Sequence, residues 1–250
     1  MAIKVVTIDF WNTIFDSSNG QMRNYIRNQE IRKAMKRIGF EPTDHQINEA
    51  IRAAWGHFNR LWTEEMRTPT PLESVEFIWN YFSLPYDKEV IEEVVRSFET
   101  AILKYPPNLV QDASYAISKL SEEFEIGLIS DTGFTPGSVL QELMRQKNIL
   151  QYFKSFSFSD ETGVSKPHPK AYEKVLNELN INPEEALHIG DIEDTDIKGA
   201  KNLGMKAVLF LGDPTANHAS HTKQHSKADA IAHSWNEALV FVRKLSSQIF

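Results

Sequence analysis

The sequence contains no cysteine among its 250 residues. That absence excludes disulfides, a thiolate nucleophile and cysteine-based zinc or iron–sulfur sites. The chain also lacks any run of 18 apolar residues, and its amino terminus has neither the basic region nor the cleavage site of a secretory signal. We therefore expect a cytoplasmic protein that is not anchored to a membrane.

The sequence also lacks an excess of positive charge. It has 27 basic and 34 acidic side chains, which give a formal net charge of -7. Because nucleic-acid binding depends on clustered lysine and arginine, we do not expect a nucleic-acid partner. An anionic substrate would need a local positive charge or a metal ion. With 41% hydrophobic residues, the chain can form one large domain or two unequal ones, as a monomer or a homodimer.

The first half of the chain is predominantly helical. Apolar residues recur at helical spacing in four consecutive segments, with no strand between them. These segments are residues 21–38, 43–62, 72–82 and 87–104. Such a run predicts a small helical bundle inserted after the first strand. We expect Trp55, Trp62 and Trp79 to lie mainly in the bundle core, with one edge of the bundle covering the site.

From Pro106 onwards, short apolar strands alternate with single helices. The predicted strands are residues 125–130, 153–158, 186–189 and 206–211, and the predicted helices are residues 112–120, 138–147, 170–179 and 194–203. Strands separated by single helices indicate a parallel sheet with right-handed crossovers. The predicted fold class is therefore α/β, a doubly wound parallel sheet. Residues 1–16 and 106–250 form its core, and residues 17–105 form an inserted helical cap.

Asp9 follows the first strand directly and opens a turn. Open α/β sheets bind their ligands beyond the carboxyl ends of the strands, which is where Asp9 is expected. An aspartate in this position is either a turn former, a metal ligand or a nucleophile. Polar residues after the other strands must decide between these roles.

Three further polar clusters are expected just after strands of the core, where a parallel sheet would gather them around Asp9. They comprise Ser130 with Asp131 and Thr132, then Lys166, and then residues 190–196. Taken singly, each has an ordinary interpretation as a turn, a surface lysine or a helix cap. Together they provide carboxylates for a hard cation such as Mg²⁺, and a lysine and a hydroxyl for anionic oxygens. A carboxylate in such a site can attack phosphorus and form an aspartyl phosphate.

In these motifs the sequence resembles the haloacid dehalogenase (HAD) superfamily, in the branch with an α-helical C1-type cap. The first family motif, DxDxT, is DFWNT at residues 9–13, and the fourth, GDxxxxD, is residues 190–196. The resemblance implies that Asp9 is the nucleophile and a metal ligand, with Ser130 and Lys166 as the catalytic residues of the second and third motifs. It implies Mg²⁺ as the cofactor, held by Asp9, the carbonyl of Trp11, Asp191 and Asp196. We expect the substrate to contact Trp11, Asn12, Thr13, Asp131 and Thr132.

The sequence departs from the family pattern in its first motif. Trp11 replaces the second aspartate, which in family phosphatases protonates the leaving group and then activates water. Indole can do neither, and general acid–base catalysis contributes roughly 10² to 10⁴ in rate. Asn12 also replaces the usual glycine, and Asp131 an asparagine. The candidates for the missing acid are Asp16, His168 and Asp131.

Several functions remain open from the sequence. The first is a phosphatase of a small phosphorylated, or otherwise anionic, metabolite. The second is a 2-haloacid dehalogenase, whose family branch carries tyrosine at position 11 but lacks the acidic fourth motif present here. A phosphonoacetaldehyde hydrolase would use a cap lysine, but Lys33 and Lys36 lie in a basic segment that we expect to be solvated. The last is a catalytically weak relative that binds a phosphorylated ligand or a protein partner.

Two further groups of residues lie outside the four motifs. His218, His221 and His225 have spacing that suggests a metal site, but their polar surroundings favour a solvated loop. Arg23, Asn59 and Arg60 are possible substrate contacts from the cap.

Overall fold

The computed structural model describes residues 2–216 and 226–247. Its centre is a six-stranded sheet in which every neighbouring pair of strands is parallel. The strands lie in the order β3-β2-β1-β4-β5-β6. They are β1 (Val5–Ile8), β2 (Glu125–Ser130), β3 (Phe153–Phe158), β4 (Ala186–Gly190), β5 (Lys206–Phe210) and β6 (Ala230–Ala232).

Strand β1 forms the middle of the sheet because all four of its residues are apolar or small enough to be buried on both faces. The chain passes from β1 to β2 and β3 on one side, and then returns to place β4 on the other side of β1. This reversal creates a crevice between the carboxyl ends of β1 and β4, the position where doubly wound sheets bind ligands. The Asp9 amide donates to the Ile189 carbonyl at 2.9 Å, which holds the two strand ends together.

Helices cover both faces of the sheet, and each face has its own apolar cluster. One cluster includes Ile117, Leu140 and Trp235, and the other includes Tyr172 and Val175. The helices of this α/β core are α5 (Ala113–Ser121), α6 (Gly137–Gln146), α7 (Ser159–Thr162), α8 (Pro169–Glu178), α9 (Lys198–Asn202) and α10 (Trp235–Ser247).

The four helices of the predicted cap pack together around an apolar cluster of their own. They are α1 (Gly20–Arg37), α2 (Asp44–Glu64), α3 (Pro71–Tyr81) and α4 (Lys88–Lys104). Thr43 and Thr70 start α2 and α3 with complete capping boxes, in which the threonine and the third helical residue satisfy each other's backbone amides. These capping boxes explain why the chain begins new helices at both positions.

The two chain segments that enter and leave these helices are tied together. The Asp16 amide donates to the Asn108 carbonyl at 3.0 Å, and the Asn108 amide donates to the Asp16 carboxylate at 2.9 Å. Asn19 donates to the Pro106 carbonyl at 2.8 Å. The helical segment is therefore connected to the sheet through a short pair of cross-linked linkers.

The structure departs from the sequence expectations near the carboxyl terminus. The helix expected over 194–203 begins with a π-helical turn at Glu193–Ile197 and becomes α-helical only at Lys198–Asn202. Strand β6 and helix α10 were not predicted. Strand β6 has only three residues, too few to show a periodic pattern. His218, His221 and His225 lie outside the described residues.

No helix within residues 2–216 and 226–247 combines the length and apolar character that a membrane crossing requires.

Candidate active site

Four charged side chains meet in the crevice between β1 and β4. Asp9, Asp191 and Asp196 each present a carboxylate oxygen, and these three oxygens lie within 4.8 Å of one another. Lys166 donates from Nζ to Asp9 Oδ1 and, at 2.7 Å, to Asp196 Oδ1. All four residues are at most 5% exposed. The topology has thus gathered residues from three separate segments of the chain into one buried cluster.

Asp196 is fixed by further hydrogen bonds. Its Oδ2 accepts from the Ile192 amide at 3.0 Å, and its Oδ1 accepts from His188 Nε2 at 3.0 Å. Because an ionised carboxylate can only accept, Nε2 is the donor, and Nδ1 accepts from the Thr7 hydroxyl at 2.8 Å. Burial lowers the pKa of His188 from its ordinary value, so the ring is neutral at pH 7. His188 therefore acts as a neutral support that orients Asp196.

The cluster has too little positive charge for its carboxylates. Three aspartates and one lysine sum to a charge of -2 when all are ionised. Burial raises the pKa of Asp9 to about 7, although Lys166 opposes this shift. Burial and the neighbouring carboxylates also raise the pKa of Asp191 well above its usual range. Burial would also raise the pKa of Asp196. At this carboxylate, however, Lys166 and His188 outweigh burial and hold the pKa below its ordinary value.

These residues fit a divalent cation. The donors are all hard oxygens, which Mg²⁺ and Ca²⁺ prefer, and a 2+ charge would offset the excess negative charge of the cluster. The raised pKa values of Asp9 and Asp191 reflect the same excess of buried negative charge, which a bound cation would relieve. The acidic triad can therefore hold a metal ion.

The turn after β1 presents the residues of the first motif to this cluster. Asn12 has a positive φ of 54°, a conformation that asparagine tolerates better than most residues and that suits its place where the family has glycine. Its side chain donates to Asp191 Oδ2 at 3.2 Å and accepts from Ser17 at 2.9 Å. Thr13 is buried, and its hydroxyl has no hydrogen-bond partner within the described ranges. The Asn12 amide thus orients one of the three carboxylates.

The residues after β2 fall into two groups. Ser130 is buried at the strand end, where its hydroxyl makes one weak contact, with the Asp131 carbonyl at 3.4 Å. Thr132, by contrast, bonds to Ser159 at 3.0 Å and to Asp160 at 2.8 Å. The Thr132 hydroxyl is thus held by two short hydrogen bonds, whereas the only O–H of Ser130 makes a long contact that a ligand oxygen could replace.

Asp131 connects the core to the cap helices. Its Oδ1 accepts from the Lys166 amide at 2.9 Å, and its Oδ2 accepts from the indole of Trp62 at 2.8 Å. The loop that follows α2 makes two more contacts nearby, because the Ser165 amide donates to the Met66 carbonyl at 2.7 Å and Thr68 bonds to Ser159 at 2.5 Å. The end of α2 is thereby held directly against the loop that carries Ser165 and Lys166, called the lysine loop below.

Two cavities lie between the cap helices and the core, on either side of this contact. One has a volume of about 320 Å³ and is bounded by Trp11, Arg23, Arg27 and Asp131 among others. The second, of about 530 Å³, is bounded by Trp62, Lys166 and Pro167. Both volumes are within the range of small-molecule sites. The second cavity reaches the carboxylate cluster through Lys166, which contacts Asp9 and Asp196.

The structure separates the three candidates for a replacement acid. Asp16 accepts hydrogen bonds from Ser18 and Asn108 in the linkers. His168 caps α8 by accepting from the Lys170 amide at 3.2 Å. Asp131 alone of the three borders a cavity together with Trp11.

The cap residues singled out from the sequence also differ in position. Arg23 borders the smaller cavity, whereas Asn59 is exposed and the exposed Arg60 pairs with Glu65 at 2.6 Å. Trp79 is buried as expected, but Trp55 is 39% exposed. The expectation that Trp55 and Trp62 belong mainly to the bundle core is wrong, because both lie along cavities at the core interface. Lys33 and Lys36 are exposed, as expected of a solvated face.

Sequence reasoning missed four residues around the site. His188 and Tyr172 support the π-helical turn that carries Asp196, with the Tyr172 hydroxyl donating to the Thr195 carbonyl at 2.9 Å. A histidine within an otherwise apolar strand was the available signal for His188. Trp62 and Arg27 approach the site only through tertiary packing, so local spacing gave no indication of them.

The chain belongs to the haloacid dehalogenase-like hydrolases, whose family model matches residues 3–204. This match identifies the protein as a hydrolase.

Among curated proteins, the chain is similar to glyceraldehyde 3-phosphate phosphatase of Pyrococcus abyssi, with 29% identity over 83% of this chain and 81% of that protein. Among solved structures, it is similar to a 2-haloacid dehalogenase from Pseudomonas syringae, with a TM-score of 0.68, 20% identity and coverage of 97% of this chain and 98% of that one. It is also similar to the magnesium-bound HAD-hydrolase YfnB of Bacillus subtilis, with a TM-score of 0.63, 17% identity and coverage of 97% and 99%. The structural matches establish the fold.

We predict that the Trp62–Asp131 hydrogen bond contributes measurably to stability. Trp62→Phe removes the indole donor from a carboxylate that is largely shielded from water, so the free energy of unfolding should fall by about 1–3 kcal/mol. Urea unfolding of Trp62→Phe, Asp131→Ala and the double variant measures the pairwise coupling. Effects that simply add, with no coupling between the two positions, would contradict the contact.

Proposed function

We propose that this protein is a Mg²⁺-dependent phosphatase that acts on a small phosphorylated metabolite through an aspartyl-phosphate intermediate. The observation that carries this proposal is the buried triad of Asp9, Asp191 and Asp196 facing Lys166. The sequence similarity to glyceraldehyde 3-phosphate phosphatases, over about four fifths of both chains, supports phosphate-ester hydrolysis.

Asp9 is the nucleophile of the proposed reaction. One carboxylate oxygen attacks phosphorus while the bond to the leaving oxygen breaks, and water then hydrolyses the acyl phosphate and regenerates Asp9. Bound Mg²⁺, held by Asp9, the Trp11 carbonyl, Asp191 and Asp196, would stabilise negative charge on the phosphoryl oxygens. The protein thereby places its nucleophile and its charge stabilisation in a preorganised, water-poor crevice.

Lys166 and Ser130 stabilise the transferred phosphoryl group. Lys166 already contacts Asp9, so its ammonium lies where negative charge develops during attack. Its contact with Asp196, which His188 orients, fixes the lysine in that position. The Ser130 hydroxyl, at the end of the neighbouring strand, donates to a phosphoryl oxygen.

Trp11 makes proton transfer the weak step of this site. Its indole N–H is not an acid of useful strength, and Asp16 and His168 are engaged elsewhere. A leaving group that needs no proton therefore reacts more readily than an alkoxide. We propose that the natural substrate either has a good leaving group or carries its own proton donor.

Residues 17–105 act as a cap in this proposal, with residues 1–16 and 106–250 as the catalytic core. The cap helices cover the crevice and contact the lysine loop through Trp62, Met66 and Thr68. Release of these contacts would admit substrate, and their restoration would exclude bulk water.

The dehalogenase alternative is disfavoured by the same charged cluster. Attack on carbon needs one carboxylate and no cation, whereas here two further buried aspartates face the nucleophile. Their negative charge would oppose the approach of an anionic haloacid. A cation-dependent reaction explains all three carboxylates.

We predict that hydrolysis of activated phosphate esters requires both Mg²⁺ and Asp9. With p-nitrophenyl phosphate, chelation should remove activity and Mg²⁺ should restore it. Asp9→Asn should lower kcat by at least about 10³-fold, because the amide is a poor nucleophile. Asp44→Asn, the same chemical change at an exposed position of α2, is the matched control. Activity that survives chelation, or survives in Asp9→Asn, would contradict the mechanism.

A second prediction concerns the missing acid. Trp11→Asp should raise the hydrolysis rate of unactivated esters such as glyceraldehyde 3-phosphate by roughly 10² to 10⁴, while Trp11→Phe should give no gain. The wild-type protein should strongly prefer p-nitrophenyl phosphate over such alkyl esters. Equal wild-type rates on both kinds of ester would show that another group supplies the proton.

A further inference from the structure

Two buried arginines line the smaller cavity between the cap helices and the core. Arg23 is 6% and Arg27 is 8% exposed, and both border the cavity of about 320 Å³. They lie four residues apart on α1, so their side chains project from the same face of the helix. Fully buried arginine is rare in proteins unless it is paired with an acid.

Neither guanidinium forms an ion pair within residues 2–216 and 226–247. Arg27 donates only to neutral oxygens, namely the Phe98 carbonyl at 3.2 and 3.3 Å, the Asn24 side chain at 3.3 Å and the Thr135 hydroxyl at 3.4 Å. Its guanidinium also stacks on Phe134, with 4.9 Å from the guanidinium carbon to the ring centroid.

Arg23 has donors that its protein partners do not use. In the described part of the chain, its hydrogen bonds come from Nη1 alone, to the Ser18 carbonyl at 2.7 Å and the Tyr105 carbonyl at 3.0 Å. A guanidinium has five N–H donors, so Nε and Nη2 remain for another acceptor. Nη2 lies beside Gly20, which also borders the cavity.

The charge of the pair is poorly compensated. Burial lowers the pKa of Arg23 and Arg27, and the charge of Arg23 lowers that of Arg27 further. Asp16 partly offsets this effect at Arg23, but its carboxylate is engaged with Ser18 and Asn108. Two buried like charges on one helix face are costly without an opposite charge, and a bound anion in the cavity would supply that charge.

The cavity that holds these charges begins at the catalytic turn. Trp11, two residues after the proposed nucleophile, forms part of its wall, and its ring lies 5.9 Å from the guanidinium carbon of Arg23. Trp55 and Phe58 supply further aromatic surface from α2. Asp131, the acidic residue on the wall, has each of its oxygens occupied by a donor, Lys166 or Trp62.

We propose that Arg23 and Arg27 form a subsite for a second anionic group of the substrate, distinct from the phosphoryl group at Asp9. The substrate class is then a phosphate monoester whose leaving group carries a carboxylate or a second phosphate. This inference rests on the proposed phosphatase function, and it specifies what occupies the cavity beyond the reacting phosphorus.

The test compares the binding of matched esters. Calorimetry in the presence of Mg²⁺ measures the dissociation constants of 3-phosphoglycerate, 1,3-propanediol bisphosphate and glycerol 3-phosphate. The protein carries Asp9→Asn, because this substitution prevents turnover. At least one of the two esters that carry a second anionic group should bind about 10- to 100-fold more tightly than glycerol 3-phosphate, the size expected for charge-assisted hydrogen bonds. The stronger of the two identifies the anion as carboxylate or phosphate.

Substitution of the arginines should remove that preference selectively. With Arg23→Gln or Arg27→Gln added, the preference should fall to less than about 3-fold while glycerol 3-phosphate binds as before. Arg37→Gln, an exposed position of the same helix, should retain the preference. Arg23→Lys and Arg27→Lys keep the positive charge, so these variants should retain part of the preference for the second anionic group. The Tm of every variant shows whether a loss of binding reflects unfolding.

The outcomes separate this inference from the proposed function. Equal binding of all three esters, or equal loss of all three in folded arginine variants, would overturn the subsite even if p-nitrophenyl phosphate is hydrolysed. An arginine-dependent preference would support the subsite even if no ester is hydrolysed, because the measurement does not depend on turnover.

Discussion

The candidate active site depends on the burial of three carboxylates against a single lysine. In a medium of low dielectric, such an excess of negative charge is unfavourable unless protons or a cation compensate it. The raised pKa values of Asp9 and Asp191 express that imbalance directly. The neighbouring residues act on the same cluster: His188 orients Asp196, Asn12 donates to Asp191, and Lys166 bridges two of the acids.

Helix α2 connects this charged cluster to the helical segment of residues 17–105. Asp131 joins the cap to the lysine loop, since it accepts from both the Trp62 indole and the Lys166 amide. On one side of that contact lies the cavity with the two arginines, and on the other lies a cavity that reaches Lys166. The acidic triad lies in the core and the two arginines lie on α1, and Trp11 and Asp131 border the arginine-lined cavity from the core side. This arrangement suits a ligand with negative charge at both ends and a metal ion at one.

The fold was predictable from the sequence because its signals are local. Apolar strands alternating with helices gave the parallel sheet, and polar residues at strand ends indicated Asp9, Ser130 and Asp191. Family membership, which the match over residues 3–204 establishes, followed from the same motifs. The roles assigned to the individual site residues, and the division into core and cap, stay predictions.

Other features depend on tertiary contacts and could not be derived from spacing. Trp55 and Trp62 have the spacing of core residues on α2, yet they face cavities because the core lies across that side of the helix. Arg27 is buried against Phe98 and Phe134, which are distant in sequence, so local spacing does not reveal its position. The three-residue strand β6 depends on pairing with β5, so its own sequence carries little signal.

The most direct test is crystallographic. In crystals soaked with Mn²⁺ as a substitute for Mg²⁺, an anomalous difference map should show one strong peak bounded by the carboxylates of Asp9, Asp191 and Asp196. Absence of a peak there at saturating Mn²⁺, with the three carboxylates still together, would contradict the claim that this buried negative charge exists to hold a cation.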